Sequence, residues 1–333
     1  MFFKFNIPKA QEKYKPYDVL KTKKINYPEL SNEIKYEVAI LGGLDIFTDA
    51  HVQGVVDITT KICEQMEMDY QMLKHCVLCA YLHDVGKIMI PNEVLQKKGK
   101  LTDEEYEIIK SHTTHGYDIC MRYVELRKFA PIVRAHHESF DGSGYPDKLV
   151  GNQIPFEASL IKVADVYDAL TRKRQYKEGF MQSEALKIMI GDAKKNKMSA
   201  KILRHLIEYL IGELYEKIFT SQKNIELYES NLQVLHEIEK IYKEIYDRGY
   251  SDKLEKKLKR YELPAGYDMG VNANLLVVKQ KALERERERL QTLQEEEKKI
   301  QAQYEETCEL AKKENWYPNE KYYKNITKTL QKH

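Results

Sequence analysis

The sequence predicts an all-α protein, and three observations carry that reading. Apolar residues recur at three- and four-residue steps through most of the chain. Strand-like alternation is scarce, and start signals such as Thr102-Asp103-Glu104-Glu105 bound the periodic stretches. At 333 residues the chain has room for one full-sized core and a smaller second unit.

Three regions differ in character. Residues 1–45 are rich in Lys, Tyr and Pro, with weak periodicity, and read as an extended arm ending in Leu41-Gly42-Gly43-Leu44. Residues 46–215 hold dense apolar periodicity and most of the histidines, which marks the main core domain. Residues 216–333 form a charge-rich helical region, interrupted at Leu263-Pro264-Ala265-Gly266. There Leu283, Leu290, Leu293, Ile300 and Tyr304 follow heptad-like steps, while Glu286 and Glu297 fall on the same seam. Two packings stay open for this helix: against the core as a single solvated helix, or with a second copy or partner protein as a coiled coil.

Composition narrows the function. Lys and Arg total 54 against 52 for Asp and Glu, a formal charge of +2, so DNA or RNA is not the expected partner. No apolar run reaches the ~20 residues of a membrane span, and the first residues lack a signal-peptide core. A cytoplasmic location follows. Five cysteines without the spacing of a disulfide scaffold agree with it, and Cys76 and Cys79 read as core thiols.

The core carries an anomaly: acids and imidazoles sit on helix faces that ought to be apolar. His51 shares a face with Val55, Ile58 and Ile62. Leu73, Cys76, Val77 and Ala80 lead into His83 and Asp84, where Gly86 is expected to stop the helix before Lys87. After the Thr102 capping box, Ile108 and Ile109 precede His112 by one turn. The helix from Pro131 ends in His136-His137-Glu138, and Asp165 and Asp168 lie with Ile161 and Ala164 on the face of a last core helix. A buried carboxylate is costly without a counter-charge. A single polar intruder is explained as a hydrogen-bonded core residue; five histidines and two aspartates on five helices are not. A pair of divalent metal ions is the economical account, with Asp84 between them because a carboxylate offers two oxygens. Mixed nitrogen and oxygen donors favour Fe, Mn, Zn or Ni over Ca or Mg. His75, His115, His205, His236 and His333 fall outside this pattern.

The ordered series LHDVGKIMIP, KLTDEEYEIIKSHTTHG, HHESFDGSGYP and ADVYDALTRKRQYKEG resembles the HD-GYP family of the HD superfamily of metal-dependent phosphohydrolases. The resemblance covers roughly residues 46–190. It implies an HD-domain helical bundle with two divalent transition-metal ions, Fe or Mn first, that hydrolyses a cyclic dinucleotide, cyclic di-GMP foremost, to the linear form. By that resemblance His51, His83, Asp84 and Asp165 ligate one metal, and Asp84, His112, His136 and His137 the other. Asp84 and Lys87 are then the catalytic pair, with Lys87 on the scissile phosphate. Tyr145 would present the base, and Arg174 and Lys177 would grip phosphate. Asp168 and Glu138 would orient ligand imidazoles. The stretch Arg172-Lys173-Arg174 would face the substrate.

The chain departs from the family pattern at three positions. Phe47 stands where some members carry a third-metal glutamate, Ser159 replaces a usual arginine, and Gln175 replaces a common proline. Two other functions remain in view: a phosphohydrolase for another nucleotide ester, and a cyclic-dinucleotide sensor signalling through the helical tail.

Overall fold

The computed structural model describes residues 46–172, 179–249, 251–258 and 273–318 and positions 322, 323 and 326. The expectations for residues 1–45, for Arg174, Lys177 and Gln175, for the Phe47 side chain and for the break at Leu263–Gly266 lie outside the described residues. Among the described residues every regular element is a helix, and the lone β-bridge joins Asp141 to Val150. No described helix is long and apolar enough to cross a membrane. Two compact units divide between Tyr209 and Leu210.

The first unit is built from α1 (Ile46–Gln65), α2 (Tyr70–Leu82), a 3-10 turn (Val85–Met89), α3 (Asn92–Leu95), α4 (Asp103–Lys110), α5 (His112–Arg122), α6 (Ala130–Ala135), α7 (Phe156–Thr171) and α8 (Gln182–Lys194). It also contains the start of α9 (Ala200–Arg248). Local chemistry fixes the starts. Asp69 caps α2 by accepting from the amides of Gln71 and Met72, and Thr102 with Glu105 forms the expected capping box on α4. Helix α1 packs on α2 and α7, and α5 on α6. Their shared interior holds Val55, Leu82, Phe129, Val133 and Ile161, all essentially sealed from water. Each such side chain contributes about 1.5–3 kcal/mol by leaving solvent.

One expectation is corrected here. Helix α2 ends at Leu82, and Gly86 lies inside the following 3-10 turn instead of stopping the helix. Its role is close approach: a Cβ on Gly86 would come within 1.9 Å of the His112 carbonyl oxygen and 2.5 Å of the Gly116 nitrogen. A glycine there lets the turn lie directly on α5. That contact brings Asp84 and His112 into one place.

The second unit contains the rest of α9, α10 (Asp252–Leu258) and α11 (Ala273–Lys313). Tyr215 lies by Tyr304, Gln222 donates to Glu297, and Gln294 donates to Glu229, so α9 and α11 run antiparallel. The heptad-like seam of α11 is therefore used within the chain. Leu283, Thr307, Cys308 and Ala311 are buried along it, and Glu286 and Glu297 are half-buried at its wet edge. Farther along α9, Ile238, Ile241, Tyr242 and Ile245 close on Leu254 of α10.

Candidate metal centre

Each proposed histidine ligand is aimed by its own local backbone. His83, His112 and His136 follow or open helical turns, and each donates its Nδ1 hydrogen to the carbonyl three residues back. The acceptors are Ala80 at 2.6 Å, Ile109 at 2.7 Å and Val133 at 2.6 Å. With Nδ1 so engaged, the Nε2 lone pair is left to point inward. His51 is held differently, donating Nδ1–H to Asp168 Oδ2 at 2.7 Å.

The inward atoms converge in two trios. One comprises His51, His83 and Asp165, and the other His112, His136 and His137; in each, the donor atoms lie within 4.8 Å of one another. Asp84 sits between them. Its Oδ2 is 3.2 Å from His83 Nε2 and 3.7 Å from His51 Nε2, while Oδ1 is 3.4 Å from His112 Nε2. All seven residues named from the sequence thus meet, from α1, the end of α2, α5, the end of α6, and α7. These residues fit a metal pair. His83 Nε2 is buried without a hydrogen bond, a costly state for a polar atom that a cation relieves. His112 Nε2 and His136 Nε2 face each other at 3.2 Å, two lone pairs that need a shared electrophile.

The electrostatics agree. Burial first, then the neighbouring imidazoles, pushes His136 far below the usual histidine range, and burial takes His137 down to about 3. Burial likewise lowers His112. These rings are neutral, as metal ligands must be. Burial works against the ionised form of Asp84, yet His83 and the Lys87 ammonium hold it well below the carboxylate range. Burial also opposes a charge on His51, but hydrogen bonds to Asp165 and Asp168 raise it to about 9. In the metal-free site His51 keeps a proton.

Around the centre, some expectations change. Lys87 donates to Asp84 Oδ2 at 2.5 Å, so its ammonium lies against the central carboxylate. Asp168 aims His51 as expected. Glu138, expected to orient an imidazole, instead accepts from the amides of Asp147 at 2.6 Å and Leu149 at 3.0 Å. It braces the Gly144-Tyr145-Pro146 loop, because its side chain follows the turn beyond α6 away from the rings. Gly144 permits that brace: a Cβ there would stand 2.3 Å from the Ser139 nitrogen and 2.5 Å from Glu138 Cα. Tyr145 then lies stacked on the His137 ring at 4.8 Å. Arg172, expected to face substrate with its neighbours, is turned back to Asp168, with bonds of 2.8 and 2.6 Å. Gly54 makes room for that pair, since a Cβ would meet Asp168 Oδ1 at 1.9 Å and Arg172 Nη2 at 2.2 Å. Ser159, in place of the family's arginine, spends its hydroxyl on the Pro155 carbonyl at 3.3 Å.

Sequence reasoning missed Lys162. Its ammonium donates to the carbonyls of Glu138 at 2.6 Å and His137 at 3.3 Å and to Ser139 Oγ at 2.7 Å. It ties the His136-His137 turn to α7. The available signal was a lysine one turn before Asp165, a cation on the face that carries the acids.

A helical bundle whose inner faces carry a trio of histidines and a trio of two histidines and an aspartate, about a shared second aspartate, defines a class of metal-binding α-proteins. Within it, this chain belongs to the HD domain family, whose model matches residues 33–202. It is similar to the cyclic di-GMP phosphodiesterase response regulator RpfG of Xanthomonas campestris pv. campestris, 42% identical over 151 residues, 44% of this chain and 38% of that protein. It is also similar to a cyclic di-GMP phosphodiesterase of Thermotoga maritima, 40% identical over 150 residues, 43% and 41% of the two chains. The 3'3'-cGAMP-specific phosphodiesterase 2 of Vibrio cholerae is 33% identical over 199 residues, 56% and 37%. The chain therefore spans about two-fifths of the length of these curated relatives.

Proposed function

We propose that this protein is a metal-dependent phosphodiesterase that opens a cyclic dinucleotide, cyclic di-GMP foremost, into its linear form. The observation that carries it is the meeting of six donor side chains around buried Asp84. The relatives named for cyclic di-GMP and 3'3'-cGAMP support the substrate class. In this reading His51, His83, Asp84 and Asp165 hold one ion and Asp84, His112, His136 and His137 the other. Iron or manganese suits the mixed donor set, with zinc or nickel as alternatives. Divalent ions bound there supply an activated water and offset charge on the phosphate.

The chain's own groups do the rest. Lys87 keeps Asp84 ionised and offers its ammonium to a non-bridging phosphate oxygen, where negative charge grows during attack. Asp168 and Arg172 hold His51 in register, and Glu138 and Lys162 hold the loop and the paired histidines. One water adds across one P–O bond. Its oxygen joins phosphorus, the ribose 3′-oxygen leaves, and the water's proton ends on that oxygen. The five cysteines are free and buried, which fits a reducing compartment and a cytoplasmic place of action.

The test is a hydrolysis assay on purified protein loaded with manganese or iron, offered cyclic di-GMP and 3'3'-cGAMP. Linear product is the expected result. Micromolar binding without product would replace the phosphodiesterase with a sensor, and turnover of nucleoside phosphates alone would move the activity to another ester.

A further inference from the structure

The rim of the centre carries an aromatic and a cation with no task in the chemistry above. Tyr145 is half-buried, with His137 stacked on its ring at 4.8 Å. The Lys110 ammonium lies 5.6 Å from the Tyr145 ring centre and 5.1 Å from that of Tyr106. Glu107, three residues before Lys110 on α4, holds that ammonium in an ion pair. These steps lead outward from His137 to Tyr106, which is 49% exposed on α4. Exposing a large aromatic costs apolar burial, and here its neighbour is a fixed cation beside a phosphodiester site.

We propose that Tyr106 and Lys110 form a guanine-binding wall: a base of the substrate stacks on the Tyr106 ring while the Lys110 ammonium donates to the acceptor edge of guanine. The inference rests on the cyclic-dinucleotide reading and adds to it which base is preferred and which residues prefer it. Stacking on an aromatic face is indifferent to base identity. The cation is not: guanine presents O6 and N7, two acceptors side by side, where adenine presents N7 next to a donating amino group. Tyr106 therefore supplies affinity and Lys110 discrimination. Glu107, through its ion pair, directs the Lys110 ammonium toward the rings.

The experiment uses the full chain, metal-loaded, with cyclic di-GMP and cyclic di-AMP as probes. Tyr106→Ala is expected to raise KM roughly 10-fold for both, in line with the loss of one stacked base, with kcat and metal content unchanged. Tyr106→Phe is expected to restore KM. Lys110→Met is expected to raise KM for cyclic di-GMP and leave that for cyclic di-AMP in place, erasing the preference. Unchanged KM values in Tyr106→Ala and Lys110→Met overturn the wall, as does a fall in kcat or metal content in step with KM. A chain that binds cyclic di-GMP without cleaving it removes the phosphodiesterase reading alone, and dissociation constants then decide the same comparisons. A chain that neither binds nor cleaves either probe overturns both.

Discussion

The two units of the molecule differ in what they bury beside their apolar side chains. The first places His83, Asp84, His112 and His136 at essentially zero exposure amid valines, leucines and alanines. The second keeps the ordinary rule. Its helices close over Ile238, Ile241, Ile245 and Leu254, and its Gln and Glu pairs lie at an exposed edge. Apolar burial alone explains the second unit. It cannot explain the first, where ionisable groups in a dry interior persist only if something binds them. The difference locates the chemistry without reference to any relative.

The sharpest way to break this contrast is Asp84→Ala. Removing the carboxylate between the trios is expected to abolish metal retention, read by elemental analysis, and turnover with it. Turnover with wild-type metal content would remove Asp84 from the centre.

Gly144→Ala comes next. Its Cβ would collide with the backbone at Ser139 and Glu138, so the loop holding Tyr145 must shift. Displacement on the order of 1 Å costs roughly 100-fold in kcat/KM, with metal content retained. A normal kcat/KM would separate the loop from catalysis.

In the second unit, Ile241→Ala is expected to cost about 2–4 kcal/mol, because it empties a buried site between α9 and α10. Thermal unfolding measures the loss, and the metal content of the first unit should not change. A change would mean that the units do not respond independently.

The smallest effect is expected from Asp168→Asn, which takes the charge off the acceptor that aims His51. Metal affinity should fall about 10-fold at pH values above 9. The sign reverses its weight at lower pH. In the unaltered site His51, raised to about 9, holds a proton that a metal must displace, so affinity falls as pH drops below 9. Asn lacks the charge that sustains this, so the gap narrows toward pH 6. A constant gap across that range would deny Asp168 its hold on the proton.

Much of the centre was legible in the sequence, because its residues violate helix periodicity where they stand. His51 among Val55 and Ile62, or Asp165 beside Ile161, is visible without coordinates. The supporting groups were not. Whether Arg172 faces solvent or Asp168 depends on the absence of a side chain at Gly54, more than 100 positions away in the chain. Glu138 was misassigned because a turn after α6 redirects it to the amides of Asp147 and Leu149. The seam of α11 was equally plain, but its antiparallel pairing with α9 is a long-range choice that heptad spacing does not encode. Local rules revealed which residues were anomalous; only the approach of distant backbone revealed what steadies them.

The bond from each of three imidazoles to a carbonyl one turn earlier has a consequence for how such a centre comes into being. Orientation is inherited from the helix itself, so docking the helices suffices to present the nitrogens correctly.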